Sequence, residues 1–96
     1  MVNAADIRKK LRISTEGLDD EILDNIDAAR LDMSRVGISD AMDDRLTDKA
    51  VELYCKWQFN YMNKAEQFER NYMELRNAMS ITEKYRRGEE DVRHDH

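Results

Sequence analysis

His94 and His96, the chain's two histidines, flank Asp95 at the C-terminal end. Alternating imidazole and carboxylate binds nickel or zinc weakly, whereas a structural or catalytic metal needs three or four ligands held by a scaffold. No third ligand stands beside them, so a solvated tail is expected. The adjacent acids Asp19/Asp20, Asp43/Asp44 and Glu89/Glu90 are candidates for general acid–base work. Neighbours on a helix do not converge on one point. All three pairs sit at expected helix starts or in the tail, where capping and solvation account for them. Asp40 to Asp48 lacks the central Gly and closing Glu of a calcium loop.

Nucleophiles fare no better. Cys55 lies among apolar residues at helical spacing, which predicts a buried, inert thiol; as the single cysteine it can neither form an internal disulfide nor build a zinc cluster. Ser14, Ser34, Ser39 and Ser80 fall in or beside breaks and lack a Gly-flanked elbow. With three glycines there is no phosphate-cradling loop. The expectation is a protein that is not an enzyme, with no catalytic, cofactor-binding or metal-binding residues and no cofactor.

Two basic stretches, Arg8-Lys9-Lys10-Arg12 and Lys84-Arg86-Arg87, could touch phosphates. Each is short and lies toward the end of a helix, where the dipole favours cations anyway. The net charge is -5 over 96 residues, unlike the basic balance of a broad phosphate-gripping face. Residues 13–49 hold eleven acids against four bases, while residues 50–88 hold seven bases against five acids. That asymmetry is suited to contact between copies.

These groups must be positioned by helices. The chain has no proline, 39% charged residues and no stretch near the ~20 apolar residues that span a bilayer. Neither a membrane segment nor an export signal is expected. Four helical runs account for nearly everything. Asn3 caps a run over about Ala4–Arg12. Asp19 is the expected cap of Asp20–Arg35, with Leu18 stapled onto Leu23. Ile22, Ile26, Ala29, Met33 and Val36 form its apolar stripe, and Gly37 sits where a left-handed residue ends a helix. Asp43 or Asp44 caps a third run reaching about Met62. Leu46, Ala50, Leu53, Trp57 and Tyr61 mark one side of it, and Val51, Cys55, Phe59 and Met62 another. Two apolar faces make it the expected central helix. The fourth run starts near Ala65 and carries Phe68, Tyr72, Leu75 and Met79, and Tyr85 pins a last turn.

The fold class read from this pattern is all-α, a small domain of four to five helices over residues 1–86, with a charged, disordered tail over 87–96. The expected core is Ile22, Ile26, Leu53, Trp57, Phe68, Tyr72 and Leu75. A chain this short cannot bury every aromatic and Met against itself, so part of that surface is expected to meet another subunit. The expected interface residues are Asp24, Asp27, Phe59, Met62 and Met73.

The order of these features resembles the small head–tail connector (DNA-packaging or head-completion) proteins of tailed bacteriophages. The resemblance rests on a short basic helix ending KKLRIS, then LDDEILDNIDAAR, DDRLTDKAVELYCKWQFNYM and AEQFERNYMELRNAMSITEKYR. Particularly similar are Leu11-Arg12-Ile13, Asp44-Arg45-Leu46, and the Phe68, Tyr72, Leu75 stripe followed by Tyr85-Arg86. It covers about residues 3–87; the short link from Met62 to Ala65 departs from it, because relatives are often longer there. The resemblance implies a ring-forming subunit of the virion, of about twelve copies, assembled in the host cytoplasm. Its implied partners are itself, the portal protein and a tail-side connector or stopper, with DNA passing non-specifically through the channel. The alternative reading is a small helical regulator binding nucleic acid or a host protein through Lys9, Lys10 and Arg12.

Overall fold

The computed structural model describes residues 2–86. The expected tail, with His94, His96 and Glu89/Glu90, lies outside the described residues. Asn3 opens helix α1 (Ala4–Leu11) through a reciprocal capping box with Asp6, the side chain of each accepting the other's backbone N–H. Arg12 adopts a left-handed conformation, and the Arg12 and Ile13 amides return to the Lys9 and Arg8 carbonyls, ending the helix.

Helix α2 (Asp19–Arg35) departs from expectation at its start. Leu18, not Asp19, occupies the cap position and offers no side-chain hydrogen bond. Asp19 instead turns to α1, where its Oδ1 lies 2.8 Å from Arg8 Nε. Tertiary ion pairing has taken the carboxylate from the local cap. Leu23 stays 47% exposed, whereas Ile22 is fully buried. At the other end Gly37 has φ +95°. The Ile38 amide donates to the Met33 carbonyl and the Gly37 amide to that of Ser34, the paired bonds of a Schellman motif.

Asp44 caps helix α3 (Arg45–Gln58) by accepting the Leu46 and Thr47 amides. The helix stops four residues short of the expected Met62. Asn60 is left-handed (φ +51°), its carboxamide oxygen accepts the Ala65 amide, and its Nδ2 donates to Asn63. Asparagine tolerates this conformation and satisfies the Ala65 amide at the start of the next helix, so a tight turn with a 3-10 segment at Tyr61–Asn63 replaces a continuous helix. Helix α4 (Ala65–Ser80) returns antiparallel to α3, and a 3-10 turn at Glu83–Tyr85 folds back over the bundle. There Ile38 and Arg86 form an isolated antiparallel bridge. Among the described residues there is no strand, and the protein is all-α.

Helix α3 packs against α1, α2 and α4. The buried core joins Ile7 and Leu11 of α1, Ile22, Ile26, Ala29 and Met33 of α2, and Ala50, Val51, Leu53 and Cys55 of α3 to Tyr72, Met79, Ile38 and Tyr85. Each large aliphatic buried this way contributes about 1.5–3 kcal/mol. Of the expected core, Ile22, Ile26, Leu53 and Tyr72 are buried. Trp57, Phe68 and Leu75 are only half-buried and pack on the rim. The shape explains the difference. The molecule measures 52 × 24 × 18 Å with a radius of gyration of 14.3 Å, above the ~12 Å of a compact chain this size. An elongated layer leaves the outer sides of α3 and α4 uncovered.

Candidate docking surface

The seam between α3 and α4 opens to solvent as a groove of about 600 Å³. Leu46 and Leu53 line it from α3, Phe68 and Leu75 from α4. Both pairs are seven residues apart, so the two apolar side chains of each helix lie about 10.5 Å apart along its axis, with Leu53 forming the nearly buried floor. Leu46 is 44% exposed. Lys49 and Lys56 stand along the α3 edge, and Glu74 lies on the α4 side. Both lysines also pair with Glu52, at 3.4 and 2.9 Å. Lys56 sits 5.5 Å from the centre of the Phe68 ring, a cation–π contact that holds it beside the groove. Burial raises the Glu52 carboxyl, but the two ammonium groups outweigh it and hold the acid below its ordinary range.

A second cleft, of about 290 Å³, lies between α1 and the start of α3. Asp6, Asp48 and Glu52 face Lys10, Arg45 and Lys49 there, a mixed and nearly balanced lining. Neither opening gathers a nucleophile with a base, and among the described residues no group of three His, Cys, Asp or Glu is placed to hold a metal. Cys55 is buried, and burial followed by the nearby Glu52 charge pushes its thiol up to about 12. The thiolate that reactivity requires is therefore suppressed at neutral pH.

Behind the groove an aromatic and ionic cluster fixes α4 on α2 and α3. Tyr72 packs edge-on to Tyr54 at 5.2 Å and lies 6.2 Å from Trp57. Asp32 Oδ2 accepts from the Tyr72 hydroxyl at 2.7 Å and from Arg76 Nη1 at 2.9 Å, and Arg35 bonds the other carboxylate oxygen. Burial works to raise the Asp32 carboxyl, and the bonds from Tyr72, Arg76 and Arg35 more than reverse it, leaving it lowered. At the far end Asp44 accepts the Tyr85 hydroxyl at 2.7 Å, which above all holds that carboxyl low.

The five expected interface residues fall on α2, around the turn that ends α3, and on α4. Asp24 and Asp27 are exposed on the outer side of α2. Phe59 is half-buried where α3 ends, and Met62 is 67% exposed in the following turn. Met73 lies about 140–160° around α4 from Phe68 and Leu75 and lines a separate shallow cleft with Glu66, Glu69 and Arg70. Sequence reasoning missed Leu46, Lys49 and Leu31 as surface features. The shared seven-residue spacing of Leu46/Leu53 and Phe68/Leu75 was the available signal. Of the basic stretches, Lys9, Lys10 and Arg12 are exposed, whereas Arg8 pairs with Asp19 and Lys84 lies 3.5 Å from Asp44.

No described helix is long and apolar enough to cross a membrane. Compared with protein-family models, curated proteins and solved structures, the chain matches none.

Proposed function

We propose that this protein is a structural component of a tailed-phage virion, a head–tail connector that works by docking to other proteins and not by catalysis. One observation carries the reading: an open groove of about 600 Å³, with apolar side chains from both helices and lysines along one edge, runs between α3 and the returning α4. Small-molecule sites enclose their ligand, whereas a long, shallow apolar seam with a charged rim suits a helix from a partner. The four-helix order, and its resemblance to connector subunits, gives that partner a setting: a ring beneath the portal that extends the DNA channel toward the tail. The acidic balance fits a conduit, because a wall that neutralised many phosphates would hold DNA in place.

The test is binding of the full chain to the portal protein encoded in the same genome, followed by imaging of the complex. A ring of this protein seated on the portal supports the proposal. Absence of binding, together with a gene neighbourhood that lacks portal and capsid proteins, overturns it.

A further inference from the structure

Leu31 is 71% exposed and Leu23 47% exposed, although both belong to α2, a helix whose inner side is well packed. They stand eight residues apart, about 12 Å along the axis, close to the ~10.5 Å spacing of the apolar pairs in the groove. Asp27 lies midway between them and Asp24 next to Leu23, and both acids are exposed. The edge of the α3/α4 groove carries Lys49, whose side chain is 52% exposed, and the more covered Lys56, 16% exposed; both also pair with Glu52 of their own subunit.

Geometry prevents a subunit from satisfying itself. Thr47 lies with Arg30 and Met33 on the α2 side of α3. Leu46, Lys49, Leu53 and Lys56 sit about 100–180° around α3 from Thr47. The groove and the outer face of α2 therefore point to different sides of the subunit.

We infer that the α3/α4 groove receives the α2 face of a second copy of this chain, with Leu23 and Leu31 entering over Leu46, Phe68 and Leu75, and the acids Asp24 and Asp27 on the same face meeting the exposed Lys49. The contact joins two different surfaces, so it is heterologous, and every added copy leaves one free α2 face and one free groove. Growth then continues until the chain closes on itself. This inference deepens the connector reading and rests on it for the ring, but the contact has its own test.

Sedimentation of the full chain from about 10 μM to about 1 mM is expected to show mass rising several-fold with concentration. Leu31→Arg blocks the α2 face and Leu46→Arg blocks the groove. Both positions are exposed, so each variant is expected to keep the wild-type circular dichroism and remain monomeric. Mixed in equal amounts, the two variants retain one intact face and one intact groove between them, and a dimer that grows no further is expected. Asp24→Lys with Asp27→Lys is expected to raise the assembly midpoint about tenfold through lost steering and pairing. A wild type that stays monomeric throughout, one that stops at a two-fold dimer, or a mixture that forms no dimer overturns the interface. Self-association through these surfaces without portal binding overturns the connector reading alone. Portal binding that survives both substitutions, without any self-association, overturns the interface alone.

Discussion

The Tyr72 hydroxyl donates to Asp32 Oδ2 at 2.7 Å, tying the middle of α4 to the last turns of α2 across 40 residues of sequence. Tyr72 is fully buried, and the same carboxylate oxygen also takes Arg76. Because Asp32 keeps its two arginines, Tyr72→Phe removes one bond without stranding the charge. It is expected to cost about 1–2 kcal/mol, read as a lower urea midpoint with an unchanged slope. No loss would show the bond to be energetically idle.

Asp32, Asp44 and Glu52 are all held below their ordinary values in the folded state. A depressed carboxylate contributes stability that is present above its unfolded-state pKa and lost as pH falls through the folded value. Melting temperature is therefore expected to hold near neutrality and to fall once pH drops below about 4. Asp32→Asn is expected to be less stable at pH 7 and to lose less on acidification. A variant as acid-sensitive as wild type would remove Asp32 from the account.

Trp57 sits on the rim and Tyr72 in the centre, so their truncations separate. Tyr72→Ala is expected to cost about 3–5 kcal/mol and Trp57→Ala about 2–3 kcal/mol, since a half-buried ring loses less contact and leaves an open notch, not a sealed cavity. Chemical denaturation of both variants checks the order, and Trp57→Ala as the costlier would contradict the packing described.

Asn60 combines a left-handed backbone with two side-chain bonds, and the substitutions divide those roles. Asn60→Ala loses both and is expected to cost about 1–2 kcal/mol, while Asn60→Gly keeps the backbone freedom and costs less. Thermal melts rank the pair; equal losses would mean that the conformation contributes nothing.

Duplex DNA offers a check on the proposed conduit role. The full chain is expected to show no sequence preference, and any retention at low salt to vanish near 150 mM. Sub-micromolar binding to one sequence at that salt would favour the regulator reading, with Lys9, Lys10 and Arg12 as the contacts to substitute.

The sequence by itself determined the helices, because their signals are local. Asn3 and Asp44 carry their caps on their own side chains, Gly37 supplies the left-handed exit, and the stripe from Ile22 to Met33 repeats at helical spacing. Asn60 was legible in principle, since asparagine is the residue that tolerates a left-handed turn, but the aromatic run around it read as continuing helix. Tertiary structure alone decided where Asp19 would turn, because Arg8 competes for it from another helix. It also decided which apolar residues become core. Trp57, Phe68 and Leu75 share the spacing of Tyr72, yet only Tyr72 is fully covered, since periodicity defines a face and not what lies against it. The groove exists because α4 returns beside α3 with no fifth helix to cover the seam among the described residues, a fact of packing that no single helix encodes.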